Sequence, residues 1–123
     1  MGETRDINRG DVYYADLPGD NEGSVQAKSR PVLVTQCNWL NKRSPTVIVA
    51  MITSKNKRLD LPTHVLLPMI KGLPKQSMVL AEQRRTVSKE NLIQYRCTLD
   101  DNTMKRVSRA LRISEKPYKH IRG

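Results

Sequence analysis

Phenylalanine is absent from this sequence, and Trp39 is its only tryptophan. Aromatics make up 4% and hydrophobic residues 37% of the 123 positions, so the core must come from small aliphatic side chains, with a partner or a second copy expected to add stability. Cysteine is scarce too. Cys37 and Cys97 lack C-x-x-C spacing and have no histidine close by. That suits reduced cytoplasmic thiols better than a disulfide or a zinc site. The start, Met1 to Asn8, has no apolar segment of the kind a signal peptide needs. No apolar run reaches membrane-spanning length, and no basic amphipathic segment carries Trp or Phe on one face, so a membrane is not the expected partner. P-loop, dinucleotide-fingerprint, G-x-S-x-G and H-E-x-x-H motifs are all missing. Acidic residues are scattered and histidines number two, which argues against a metal site and against two-metal nuclease chemistry. No cofactor is expected.

What the sequence has in quantity is positive charge. Lys and Arg number 22 against 12 acidic residues, a net charge of +10, and such a balance points to a polyanion. The chain reads as one domain over residues 1–123, with a core from about 9 to 113 and polar ends at 1–8 and 114–123. Arg9–Leu17 predicts a first strand, closed by Pro18-Gly19-Asp20. The polar stretch 18–29 shows neither period and leads into Arg30, so it is expected to be a functional loop. Arg30–Gln36 is the second strand, with Pro31 tolerated near its start. Cys37–Pro45 is expected to be a turn region. Thr46–Thr53 is almost wholly apolar and β-branched, which predicts a central strand covered on both faces. A basic loop, Ser54–Asp60, leads to a strand over Leu61–Pro68, and another runs from Ser77 to Val87. Ser88 is placed to cap a short helix over Lys89–Ile93, and Tyr95–Thr98 predicts a short last strand. Asp100 is the N-cap of the clearest helix, with Leu99 and Met104 at staple spacing and Met104, Val107 and Leu111 on one face. Short strands and one good helix predict an α+β fold with a small barrel-like sheet.

With metals, imidazole pairs and the usual nucleophile motifs set aside, the chain offers arginine, hydroxyl and glutamate chemistry. Those groups suffice for one reaction on a polyanion. In RNA scission the neighbouring 2′-hydroxyl is the nucleophile, so the protein needs only to align it, neutralise the phosphoryl oxygens and move protons. A guanidinium binds phosphate through a fixed fork and cannot lose its charge, a threonine hydroxyl can donate to a phosphoryl oxygen, and a carboxylate can take a proton. Arg30, Thr53 and Glu82 are the candidates. Strands beginning at Arg30 and ending at Thr53-Ser54, if neighbours, would hold a guanidinium and a hydroxyl within reach of one phosphate. Lys28, Lys55, Lys57 and Arg85 are the candidate phosphate path. Each also has a plainer reading: an edge charge at Arg30, a strand end at Thr53, a surface ion pair for Glu82 beside Arg84 and Arg85, and a structural role for His64.

The order of the motifs carries a resemblance. Arg9-Gly10-Asp11-Val12-Tyr13-Tyr14-Ala15-Asp16-Leu17, then Gly23-Ser24, then Arg30-Pro31-Val32-Leu33-Val34 resembles the MazF/PemK/Kid family of toxin endoribonucleases. Asn41–Ala50, Ile52-Thr53-Ser54, Leu61-Pro62-Thr63-His64-Val65 and Glu82-Gln83-Arg84-Arg85-Thr86 extend the match, which looks most like the Gram-positive MazF branch. The resemblance implies an SH3-like (PemK/MazF-like) β-barrel with a C-terminal helix packed on the sheet, working as a homodimer. It implies sequence-specific, ribosome-independent, metal-free cleavage of single-stranded mRNA, leaving a 2′,3′-cyclic phosphate and a 5′-hydroxyl. It also implies a cognate MazE-like antitoxin whose acidic disordered segment fills the RNA groove. By position, the family's catalytic arginine and threonine fall on Arg30 and Thr53, and an acidic position proposed as a base falls on Glu82. Ser24, Gln26, Gln83 and Arg85 match RNA-contacting positions, with Ser54 and Lys55 beside Thr53.

The chain departs from the family at two places. The loop reads Gly23-Ser24-Val25-Gln26-Ala27-Lys28 where the family has Gly-Ser-Glu-Gln-Gly-Gly, and Leu80 replaces the arginine of the Kid branch. The identity of the proton acceptor therefore stays open. Two other readings stand beside the nuclease: a toxin of the same fold that poisons DNA gyrase, as CcdB does, and an inactive RNA-binding homologue.

Overall fold

A computed structural model describes residues 6–17, 29–55 and 58–117 of the chain. Its elements, in chain order, are β1 (Asp11–Ala15), β2 (Arg30–Val34), α1 (Asn38–Arg43), β3 (Thr46–Thr53), β4 (His64–Leu66), β5 (Met78–Ser88), a 3-10 turn (Lys89–Asn91), β6 (Leu92–Thr98) and α2 (Asp101–Glu115). The six strands form one antiparallel sheet in the order β4-β5-β3-β2-β1-β6.

β3 lies between β2 and β5, as its apolar composition predicts. Alternation splits its side chains between two cores. Ala50 and Ile52 join Val12, Leu33, Val79 and Val107 on one face, and Val47, Val49 and Met51 join Tyr13, Val32 and Val34 on the other. Removing these branched side chains from water is the main favourable term holding the sheet together.

β2 is shorter than expected because Thr35 and Gln36 both turn their amides to the Ile48 carbonyl, 3.1 and 3.3 Å away, and leave the ladder. The segment expected as a turn contains α1 instead. Six residues are too few to show a helical period, and this helix depends on tertiary contacts. Asn41 is buried, with its Nδ2 donating to the Gln36 carbonyl (2.9 Å) while Gln36 Nε2 donates to Asn41 Oδ1 (3.0 Å).

The C-terminal helix follows the expected pattern closely. Asp100 Oδ1 accepts from the Thr103 amide at 2.8 Å, and Thr103, Val107 and Ala110 are buried. Met104 and Leu111 pack at the edge of the same core. Arg106 donates to the Leu66 carbonyl on β4 (3.1 Å), and Arg84 on β5 reaches Ser114 Oγ (3.1 Å) and the Glu115 carboxylate, so α2 is seated on the sheet.

The barrel expectation needs one correction. The sheet curls enough for Val65 of β4 and Cys97 of β6 to share one core, but it stays open, since β4 and β6 are its two edges and do not pair. The chain after β4 crosses the opening instead. Arg96 Nε donates to the Gly72 carbonyl at 2.8 Å, and a Cβ built on Gly72 would lie 2.3 Å from the Arg96 carbonyl oxygen. Gly72 also has φ +108°, so glycine is required here twice over.

Among the described residues no helix is long and apolar enough to cross a membrane.

Candidate active site

β2 and β3 run antiparallel with Val32 opposite Met51, so continuing the register by two residues brings Arg30 level with Thr53. Both residues line one open cleft of about 480 Å³ at that end of the sheet. Ser54, Lys55 and Gln83, three of the residues expected to touch RNA, line it as well.

Gln83 reaches the cleft through an irregularity in β5. Met51 pairs with Leu80 but Ala50 pairs with Arg84, so Ala81, Glu82 and Gln83 bulge out between two stretches of regular ladder. A bulge bends its strand and re-aims side chains. Ala81 turns its amide to the Thr63 carbonyl at 2.9 Å, and the polar pair after it leaves the core.

At the end of β3, Thr53 Oγ1 accepts from the Lys55 amide at 3.1 Å. A hydroxyl has one hydrogen and two acceptor sites, so this bond orients Thr53 without using its donor.

The cleft is electropositive. Arg30, Lys55 and Lys75 are among its lining residues and, among the described residues, no aspartate or glutamate lines it. Lys75 and Ser77 were not foreseen as site residues; they arrive on the turn between β4 and β5. Tyr14 was not foreseen either. It stands opposite Pro31, next to Arg30, and the Arg96 guanidinium lies 4.9 Å from its ring centre. Strand alternation could have flagged Tyr14, whereas nothing local in the sequence could place Lys75.

Glu82 is not among the lining residues. Its Oε2 lies 2.9 Å from His64 Nε2. Burial pushes its carboxyl up, but hydrogen bonds from His64, its own backbone and Thr63 outweigh that and hold it below the usual glutamate range. Arg85 lies beyond the bulge, paired with Val49, and is likewise outside the lining. Ser24, Gln26, Lys28 and Lys57 fall outside the described residues. Among the described residues no group of three His, Cys, Asp or Glu side chains is arranged to hold a metal ion.

Residues 8–114 match the family of PemK-like, MazF-like toxins of type II toxin-antitoxin systems. The chain belongs to that family. It is 45% identical over 109 residues to Endoribonuclease EndoA of Bacillus subtilis, covering 88% of this chain and 93% of that one. It is equally 45% identical to Endoribonuclease MazF of Staphylococcus saprophyticus, covering 88% and 90%. An endoribonuclease solved in complex with its cognate antitoxin, from Mycobacterial species, superposes with a TM-score of 0.75 at 24% identity, over 91% of this chain and 98% of that one. The fold is thus the MazF fold, and the chain is a PemK/MazF-family toxin.

Proposed function

We propose that the chain is a sequence-specific, ribosome-independent endoribonuclease that cleaves single-stranded mRNA without a metal ion, as the toxin of a cytoplasmic toxin–antitoxin pair. The observation that carries this is the cleft itself, with Arg30 and Thr53 level on neighbouring strands, further cations beside them and no carboxylate among its described lining. Two relatives at 45% identity bear the name endoribonuclease, which supports the same activity.

In this reading the scissile phosphate lies between Arg30 and Thr53. The guanidinium binds its non-bridging oxygens, and the Thr53 hydroxyl donates to the phosphoryl group as charge builds in the transition state. The substrate's 2′-oxygen attacks phosphorus as its proton passes to solvent, the bond to the 5′-oxygen breaks as that oxygen takes a proton from solvent, and a 2′,3′-cyclic phosphate and a 5′-hydroxyl result. Ser54, Lys55 and Lys75 meet flanking phosphates and Gln83 meets a base edge, with Ser24, Gln26, Lys28 and Arg85 extending the RNA path. One domain with a core over about 9–113 carries these groups. The family supports a cognate antitoxin, and an acidic disordered segment of MazE type would complement the cleft. In this reading the chain works as a homodimer.

The test is cleavage of a long single-stranded RNA in excess EDTA by the wild type, Arg30→Ala and Thr53→Ala, with product ends read by mass spectrometry. Cleavage by the wild type alone, leaving cyclic phosphate ends, is expected. No cleavage, or equal cleavage by all three, rejects the reading.

A further inference from the structure

We propose that His64 is a positioning residue for this reaction: its ring ties the turn that begins at Arg58 to the bulge of β5, and so fixes Gln83 in the cleft. The inference rests on the nuclease reading above for its enzymatic consequence, though not for its structural one.

His64 opens β4, and its side chain is only 6% exposed although it adjoins a surface loop. Nδ1 lies 2.7 Å from the Arg58 carbonyl oxygen, and Nε2 lies 2.9 Å from Glu82 Oε2. The ring therefore bridges a backbone carbonyl on one side and a carboxylate on the other, one nitrogen toward each. One side chain thereby spans two elements distant in sequence.

On the loop side, the Leu61 amide donates to the Arg58 carbonyl (3.3 Å) and the His64 amide to the Leu61 carbonyl (3.0 Å). Arg58 also forks onto Asp60, at 3.2 and 2.7 Å. Residues 58–64 are therefore one compact turn, and the His64 ring links it to Glu82.

On the strand side, His64 pairs with Leu80, and Glu82 rises from the bulge within reach of the ring. The next residue, Gln83, lines the cleft. The strut thus ends one residue from a cleft group. A misplaced binding group of this kind holds substrate and transition state equally less well, which raises KM and leaves kcat nearly unchanged. The same geometry gives Glu82 a different part from proton acceptor. Its carboxylate is engaged by His64 outside the cleft lining, and its function is to anchor the ring.

The experiment compares the wild type, His64→Ala, His64→Gln and Glu82→Gln. Circular dichroism establishes that each is folded, steady-state cleavage of a fluorescent RNA gives kcat and KM, and hydrogen exchange is followed over 54–63 and 80–85. His64→Ala is expected to raise KM about tenfold with kcat within about threefold of wild type, and to speed exchange in both segments. His64→Gln keeps a donor toward Glu82 and recovers part of the KM. Glu82→Gln keeps an accepting oxygen and holds kcat within about threefold. Unchanged exchange in both segments overturns the strut, whatever the nuclease assay reads. An unaltered KM in folded His64→Ala, or a kcat collapse in Glu82→Gln as deep as that of Arg30→Ala, overturns the positioning role. A wild type that cleaves no RNA rejects the nuclease reading instead, and the exchange comparison still decides the strut. If His64→Ala does not fold, the Gln variants carry the same comparison.

Discussion

Val32 pairs with Met51, and two residues further along that register Arg30 stands level with Thr53 at the mouth of one cleft. Both residues line that cleft because antiparallel neighbours share a level, whatever the length of the connection between them. A charge alone would not use this geometry, whereas a fork beside a hydroxyl does. Arg30→Lys keeps the charge and loses the fork, so kcat/KM is expected to fall by about 10²-fold, with Arg30→Ala and Thr53→Val falling by about 10²–10³-fold. Single-turnover cleavage of a short RNA measures this, and an Arg30→Lys enzyme as fast as wild type would remove the bidentate contact from the mechanism.

Lys55 and Lys75 flank that pair without an acidic neighbour in the described cleft lining. Each is expected to displace about one counterion from single-stranded RNA. Neutralising both, as Lys55→Gln/Lys75→Gln, should flatten the plot of log affinity against log salt by about 1.4, at about 0.7 per phosphate contact. Fluorescence anisotropy over a salt series with a non-cleaving Arg30→Ala background reads the slope. An unchanged slope would place the RNA elsewhere.

Gly72 closes the gap between the sheet's two edges, and its place there leaves no room for a methyl group. Gly72→Ala brings a Cβ to 2.3 Å from the Arg96 carbonyl and forces an alanine to φ +108°. A loss of about 2–4 kcal/mol is expected from strain and displacement together. Urea denaturation monitored by circular dichroism gives the figure, and a variant within about 0.5 kcal/mol of wild type would mean the segment shifts without cost.

Leu33 is fully buried on β2, in the core that α2 covers. Leu33→Ala should cost about 2–5 kcal/mol by lost transfer energy and cavity formation. The same denaturation curves measure it.

Glu82 supplies a pH signature. Its folded-state carboxyl is held below the usual range, because hydrogen bonds from His64, the backbone and Thr63 outweigh the upward push of burial. A depressed carboxyl stabilises the fold above the ordinary glutamate value of 4.5, and that contribution is lost as pH falls through the lower folded value. Wild type should therefore melt above Glu82→Gln near neutral pH, with the gap closing below pH 4.5. A gap that widens in acid would reverse the sign and the argument. Calorimetry across the acid range decides it.

Local sequence carries much of this fold because its signals are strong where burial is complete. Thr46–Thr53 is the strand that its unbroken apolar run implies, and Asp100 caps a helix whose stripe docks as its spacing requires. Signals fail where a contact from elsewhere decides the outcome. α1 is held from outside by the Arg9 amide donating to Asn38 Oδ1 at 2.7 Å and by Lys89 donating to the Asn41 carbonyl, contacts that six residues of local sequence do not announce. β6 begins at Leu92, three residues before Tyr95, because β1 supplies an edge to pair with.

The candidate site divides along the same line. Residue chemistry singles out Arg30, Thr53 and Glu82, since few side chains can serve a phosphate without metal, and the family resemblance adds Gln83. Only the tertiary structure puts Lys75 and Tyr14 beside them and turns Glu82 away onto His64. The reason is geometric. Strand register and a three-residue bulge decide which way a side chain faces, and both are set by pairing between segments far apart in the chain.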